Sequence, residues 1–202
     1  MTSSGTARPG GRTARTAQAV FAATLAELSA RPYADISIET IAARAGVHKT
    51  TVYRRWRAKP DLVVDALSNA ADARIEVPDT GSVESDLRAL SRAVQATLSS
   101  PEGAATTKAL CAAALTSPEI AGVLARFWRI RLGAISTIVE RAIGRGELPE
   151  DTDAAATFEA VSAPLYYRLL VTGAPLTVQD ADRNAAAALV AARAGVFAPD
   201  VI

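Results

Sequence analysis

Residues 38–56 read IETIAARAGVHKTTVYRRW and predict two short helices joined by a tight turn at Gly46. Apolar residues recur on one face of the first helix, at Ile38, Ile41, Ala42 and Ala45. In the second helix, Val52 and Trp56 stand four residues apart and therefore share a face. Gly46 suits the turn because glycine tolerates a positive φ and a close approach of two helices. The stretch therefore predicts a helix-turn-helix unit.

The opposite face of the second helix carries cations, hydroxyls and an aromatic ring, at Lys49, Thr50, Tyr53 and Arg54, with Arg55 alongside. A helix that packs on one side and offers such groups on the other fits the major groove of DNA. Arginine and lysine pair there with guanine edges, while threonine contacts thymine methyl groups. The alternative is an ordinary helical hairpin with a solvated charged face, which the hairpin alone leaves open.

The flanking segments favour DNA binding. Upstream, residues 13–31 place apolar or small residues at the spacing of an amphipathic helix, namely Ala17, Val20, Phe21, Thr24, Leu25 and Leu28. Downstream, Lys59-Pro60-Asp61-Leu62 opens a further helix, with Pro60 in the first turn, where a missing N–H costs little. Residues 1–12 are rich in Gly, Ser and Thr, and we expect them to form a disordered arm.

Together these segments resemble the tetracycline-repressor (TetR) family of transcriptional regulators. The resemblance runs from the helix at Thr13 through YADISI at residues 33–38 and the helix-turn-helix to Lys59-Pro60-Asp61-Leu62, about the first third of the chain. Two positions depart from the family pattern. His48 stands where Ser or Thr often begins the recognition helix, and Arg57-Ala58 replaces a commoner Pro-Ser or Lys-Ser. The N-cap of the recognition helix is therefore left open.

The resemblance implies an all-α fold of about nine helices. A helix-turn-helix DNA-binding domain would span residues 13–75, as three helices and a linker helix, and a ligand-binding and dimerisation domain would span residues 83–202. The DNA-binding residues would be Ser37, His48, Lys49, Thr50, Thr51, Tyr53, Arg54, Arg55 and Lys59. Ser37 would cap the second helix, whose first backbone amides can meet a phosphate. Thr51, Tyr53 and Lys59 would clamp phosphates.

Charge is distributed unevenly along the chain. Residues 1–75 hold 11 Arg or Lys against 6 Asp or Glu, whereas residues 76–202 hold 11 against 15. A basic N-terminal module joined to an acidic one fits a DNA binder that carries a second function. Cys111 is the only cysteine, which excludes an intrachain disulfide. A single cysteine also indicates a reduced, intracellular protein, and no apolar run is long enough for a membrane span. Together with the resemblance, this predicts a bacterial cytoplasmic location at the nucleoid and no membrane partner.

Proline and glycine divide the rest of the chain into helical segments, and no window alternates as a strand would. The pattern predicts helices at about Val83–Ser99, Glu102–Leu115, Pro118–Ile143, Asp153–Thr172 and Val178–Gly195. Pro164 lies inside the fourth of these segments, where an interior proline is expected to bend the axis.

Residues for catalysis are missing. His48 is the only histidine, which excludes histidine-based triads and histidine-rich metal sites, and no glycine-rich phosphate loop occurs. The acidic group Glu150, Asp151 and Asp153 is expected to start a helix, where negative charge suits the macrodipole. We therefore expect no catalytic residue, no bound metal and no cofactor.

The C-terminal segments offer aromatic residues for a ligand site. The candidates are Cys111, Phe127, Trp128, Arg131, Phe158, Tyr166 and Tyr167. Helical periodicity alone leaves open whether these aromatics fill the core or line a pocket. The resemblance favours a pocket, since family members bind a small, often apolar molecule in this domain. It also implies a homodimer built on the last two helices, for which the candidates are Ala185, Ala188, Leu189 and Ala192.

The resulting interpretation is a homodimeric transcriptional regulator that binds a near-palindromic double-stranded operator. We expect a repressor that a small-molecule effector releases from DNA. Two alternatives stay open at this point. One is a constitutive DNA-binding protein without a ligand, and the other is an enzyme that uses the C-terminal helices as a catalytic chamber.

Overall fold

A computed structural model of the protein describes residues 11–74 and 77–198, with side chains from 13 to 72 and from 77 to 198. Every regular element in these ranges is helical, which confirms the all-α prediction. The α-helices are α1 (Gly11–Ala30), α2 (Ile38–Arg44), α3 (Lys49–Tyr53), α4 (Lys59–Arg74), α5 (Val83–Ser99), α6 (Pro101–Ala114), α7 (Pro118–Gly144), α8 (Ala154–Tyr167) and α9 (Val178–Arg193). A 3₁₀ turn at Tyr33–Asp35 precedes α2, and a π-helical turn at Arg168–Thr172 continues α8.

Helix α1 begins two residues before the predicted Thr13, and the rest of the predicted disordered arm lies outside the described residues. The bounds of α5 agree with the prediction. Pro164 lies inside α8 as predicted, and the backbone passes from α- to π-helical pairing four residues later. Among the described residues, no helix is both long enough and apolar enough to cross a membrane.

Side-chain caps begin several of the helices. Ser117 accepts a hydrogen bond from the Ile120 N–H, and Pro118 follows at the first helical position, as the sequence predicts. Asp153 accepts from the N–H groups of Ala155 and Ala156 and so begins α8. These contacts satisfy backbone donors that the first helical turn leaves unpaired.

The helices surround two hydrophobic cores. The first core joins α1–α4 to residues of α6 and α7, namely Leu110, Ile120 and Val123. The second core lies among α5, α7, α8 and α9, around Leu90, Ile138 and Leu165. We call residues 13–74 the head and residues 77–198 the body. Because α6 and α7 contribute to the core of the head, head and body are packed together rather than joined by a linker alone.

Candidate DNA-binding surface and internal cavity

A turn at Gly46 connects the two helices of the helix-turn-helix. Gly46 has a φ of +66°, its N–H donates to the Ala43 carbonyl at 3.2 Å, and the Val47 N–H donates to the Ala42 carbonyl at 3.0 Å. These two bonds form a Schellman motif, which needs a left-handed residue at the position of Gly46. A side chain at that position would strain the backbone, so the turn depends on glycine.

The inner faces of α2 and α3 are buried. Ile41 and Val52 are fully enclosed, and Trp56 lies just after α3 in the same core. The Trp56 indole N–H donates to Asp65 of α4 at 2.8 Å, and its ring meets Phe21 of α1 edge to face, with centroids 5.5 Å apart. Trp56 therefore sets the orientation of α3 against both α1 and α4.

The outer face of α3 and of the turn after it is open to solvent. Exposed side chains there are Lys49, Thr50, Tyr53, Arg54 and Arg55, while Thr51 is half-buried. The Tyr53 hydroxyl donates to Glu39 at 3.1 Å, and the Arg55 guanidinium lies 4.9 Å from the Trp56 ring centroid. The predicted DNA-facing residues thus form one surface, which we call the recognition surface.

Two caps position this surface. The Ser37 hydroxyl accepts from the Thr40 N–H, and the Thr40 hydroxyl accepts from the Ser37 N–H, both at 3.1 Å, so Ser37 caps α2 as predicted. His48 fills the open cap of α3, because its Nδ1 accepts from the Thr50 N–H at 3.4 Å and lies 2.8 Å from the Thr50 hydroxyl. An imidazole nitrogen therefore takes the role of the usual Ser or Thr oxygen.

Lys59 does not fit the predicted phosphate clamp. Its ammonium group donates to the carbonyls of Tyr33 and Ile36, both at 2.9 Å, and lies 3.7 Å from the Tyr33 ring centroid. Burial lowers the pKa of Lys59 below its ordinary value. Two of its three donors thus hold the 3₁₀ turn to the start of α4, which is a structural role.

A cavity of about 560 Å³ lies at the junction between head and body. Six of the seven predicted ligand residues line it, namely Cys111, Phe127, Trp128, Arg131, Phe158 and Tyr166. Tyr167 does not, and 58% of it is exposed. Neighbouring residues on a helix point about 100° apart, so Tyr166 and Tyr167 face different sides.

Helices of the head also line the cavity, which the sequence did not indicate. The head contributes Ala22, Leu25, Ala26 and Ser29 from α1, and Leu67, Ala70 and Ala71 from α4. Their spacing of three and four residues resembles that of an ordinary core face. That they line a cavity depends on how the opposing helices are placed, which their own spacing does not show.

Aromatic rings cluster on the body side of the cavity. The Trp128 ring centroid lies 4.9 Å from that of Phe127, 5.9 Å from Phe158 and 5.7 Å from Tyr166. Burial raises the pKa of both the Tyr166 phenol and the Cys111 thiol, so both stay protonated at neutral pH. The cavity therefore holds neutral donors among aromatic and aliphatic walls.

The structure corrects the predicted dimer interface. Ala185, Ala188, Leu189 and Ala192 are all buried in the second core of the protomer. The opposite face of α9 is exposed instead, at Ala186, Ala187 and Val190, with 70% of Val190 exposed. Because α9 is apolar on both faces, the sequence alone did not indicate which face packs against α5 and α8.

Residues 20–66 match the family model of bacterial regulatory proteins of the tetR family, and residues 77–188 match that of the tetracyclin repressor-like C-terminal domain. The chain is similar to the HTH-type transcriptional regulator AqdR of Rhodococcus erythropolis, with 34% identity over 70% of this chain and 68% of that protein. It is 32% identical to the DNA-binding transcriptional repressor TetR of Mycobacteroides abscessus, over 77% of this chain and 82% of that protein. A crystal structure of the TetR family transcription regulator SCO0332 superposes with a TM-score of 0.73 and 26% identity, covering 88% of this chain and 96% of that one.

Proposed function

Because the chain belongs to the TetR family and is a DNA-binding transcriptional regulator, we propose that it represses transcription as a homodimer until a small molecule enters the cavity. The observation that carries this proposal is the shared wall of the cavity. Its lining comes from α1 and α4 of the head as well as from α5–α8 of the body. A ligand there touches α1 and α4, which share the core of the head with α2 and α3. A ligand that binds the DNA-free arrangement of these helices more tightly than the DNA-bound one lowers the affinity for the operator.

The recognition surface supplies the DNA contacts in this proposal. Lys49, Arg54 and Arg55 are exposed cations able to pair with guanine edges or phosphates, and Thr50 and Tyr53 add hydroxyl groups. Thr51 and the capped start of α2 at Ser37 face the sugar-phosphate backbone, where N–H groups bind phosphate. Head residues 13–74 thus read DNA, while the body binds the effector and the second protomer.

Family regulators act as dimers. We place the interface on the outer faces of α8 and α9, including the π-helical turn. Apolar side chains are exposed there at Tyr167, Leu170, Val171 and Val190, beside small residues at Ala163, Ala186 and Ala187. Apolar surface of this kind is removed from water when two copies pair about a twofold axis.

The cavity also supports the proposal over a constitutive DNA-binding protein. A constitutive DNA-binding protein has no use for an apolar space of about 560 Å³ that borders its own head. The relatives, which are transcriptional regulators, support a regulator rather than an enzyme, and we place its action at an operator in the bacterial cytoplasm.

The test is selection of bound duplexes from a random pool with the full-length protein. We expect near-palindromic sites whose half-sites lie about 10 base pairs apart or somewhat more, because one short recognition helix reads only a few base pairs. A reporter gene placed behind the selected site should be expressed less when the protein is present. Recovery of asymmetric sites alone would contradict the dimeric proposal, and increased reporter expression would contradict repression.

A further inference from the structure

We infer that the effector is an uncharged aromatic molecule bearing a hydrogen-bond acceptor, and that the Tyr166 hydroxyl donates to this acceptor inside the cavity. The inference rests on the proposed role of the cavity as the effector site. It adds the chemical class of the effector and the residue that selects it.

The size and walls of the cavity favour a molecule of several rings. An engineered apolar cavity of about 150 Å³ holds benzene, and the present cavity is several times larger, at about 560 Å³. Leu25, Leu67 and Leu110 line it on one side, and the cluster of rings around Trp128 lines it on another. Aromatic rings pack well against such clusters, edge to face or offset.

The hydroxyl groups around the cavity are mostly paired within the protein. Ser29 donates to the Leu25 carbonyl and lies 2.9 Å from the Thr106 hydroxyl, while Thr97 donates to the Ala93 carbonyl at 2.9 Å. Within residues 13–72 and 77–198, in contrast, no hydrogen bond is found for the hydroxyls of Tyr166 and Thr107, which both line the cavity; of these two, only Tyr166 belongs to the aromatic cluster. The donor of Tyr166 is thus available to an acceptor on the ligand, and a hydrogen bond formed in this largely apolar space adds to the affinity.

Charge at the cavity disfavours an ionised ligand. Arg131 lines the cavity and is only 4% exposed, but its guanidinium already pairs with the Asp72 carboxylate at 3.0 Å. Glu102, the other charged residue in the described lining, also has an interaction partner and is not free to pair with a cationic ligand. An anion would therefore enter an apolar space whose nearest cation is already neutralised, and it would lose its hydration without gaining a countercharge. A neutral acceptor such as a ketone avoids this loss.

The experiment titrates full-length protein by calorimetry with three naphthalenes of matched shape. The probes are 2-acetylnaphthalene, which has one neutral acceptor, 2-ethylnaphthalene, which has none, and 2-naphthoate, which is an anion at neutral pH. We expect the ketone to bind about tenfold more tightly than either of the other two. Tightest binding by the carboxylate, or no binding by any probe, would overturn the inference.

Tyr166→Phe removes the hydroxyl and keeps the ring. We expect it to weaken ketone binding about tenfold and to leave binding of the hydrocarbon unchanged, which also shows that the cavity is intact. Ser136→Ala is the control, because it removes a hydroxyl of α7 that does not line the cavity; it should change neither affinity. Equal weakening of all probes by Tyr166→Phe would assign that residue to packing and overturn its selecting role.

Release of the selected operator, measured with the same probes, separates this inference from the proposed function. If the ketone binds in a Tyr166-dependent way and the operator stays bound, the ligand class that the cavity selects is supported while ligand-controlled repression is contradicted. If operator binding is intact and no probe binds, the effector class is overturned and DNA-bound repression still stands.

Discussion

Arg131 of α7 and Asp72 of α4 form an ion pair across the junction of head and body, with Nη1 3.0 Å from Oδ1. The arginine is only 4% exposed, whereas the aspartate is 70% exposed. A second pair joins the same helices between Arg126 and Asp61 at 2.8 Å, and there both side chains are about half-exposed. Helix α7 therefore holds α4 at two points, of which only the first involves a buried charge at the cavity wall.

We expect Asp72→Asn to lower the free energy of unfolding by about 1–2 kcal/mol, because the buried Arg131 guanidinium loses its anionic partner. Asp61→Asn is the matched control on the same helix pair, and it should cost less than about 1 kcal/mol because its partner is exposed. Urea unfolding of the two variants measures both values. Equal losses would show that the burial of Arg131 does not strengthen the pair.

Lys49→Ala is expected to reduce discrimination at one base pair of the operator by about 1–3 kcal/mol, since Lys49 is exposed at the start of α3. The comparison is between affinity for the selected operator and for a duplex changed at each position in turn. Lys108→Ala removes an exposed lysine from α6 and serves as the control with unchanged affinity. A Lys49→Ala protein that lost affinity equally for all duplexes would have lost a phosphate contact instead.

Lys59→Met should destabilise the head by about 1–3 kcal/mol, because the Tyr33 and Ile36 carbonyls lose a charged donor. Thermal unfolding measures this change. The salt dependence of DNA binding provides the opposing test, since loss of a phosphate clamp lowers its slope by about one unit. We expect an unchanged slope, and a reduced one would restore Lys59 to the DNA interface.

Val190→Glu places a charge on the exposed apolar face of α9 and should convert dimers to monomers, because an unpaired charge is costly to bury between protomers. Sedimentation velocity reports the mass, and operator affinity should fall with it. Leu115→Glu changes another exposed apolar residue, after α6, and should leave the dimer intact. Dimers that persisted in the Val190→Glu protein would move the interface away from α9.

His48→Ala is expected to cost about 1 kcal/mol of head stability through loss of the α3 cap, and His48→Asn should recover most of it, since asparagine is a good N-cap. Urea unfolding followed by tryptophan fluorescence in a Trp128→Phe background reads out the head, because Trp56 is then the only tryptophan and lies in the core of the head. If both substitutions cost the same, the imidazole hydrogen bond to Thr50 contributes nothing to the cap.

Local features were predictable from the sequence. The glycine turn at Gly46, the Ser37 and Ser117 caps and the bounds of α5 all depend on residues three to five positions apart. Helical periodicity and capping act over that distance, so the order of residues along the chain contains the information. The helix-turn-helix, the all-α fold and the candidate DNA-facing residues follow from such local rules.

The partners of individual side chains were decided by the tertiary structure. Lys59 donates to the carbonyls of Tyr33 and Ile36, more than 20 residues earlier in the chain. These carbonyls lie in and just after a 3₁₀ turn that no periodic pattern indicates. Helix α9 has two apolar faces, and packing against α5 and α8 buries Ala188 and Leu189 while leaving Val190 exposed. The choice between such faces depends on how well distant helices fit together.

The cavity is likewise a feature that only the tertiary structure decides. The sequence predicted that Trp128 and Tyr166 could line a pocket, but a close-packed core and a cavity wall use the same residue types. The sequence by itself determined the helices, the helix-turn-helix and the aromatic character of the interior, because each follows from residues near one another in the chain. Only the tertiary structure decided that α1 and α4 face the aromatic cluster across about 560 Å³ of space, because that volume is the shape left over when separate helices pack.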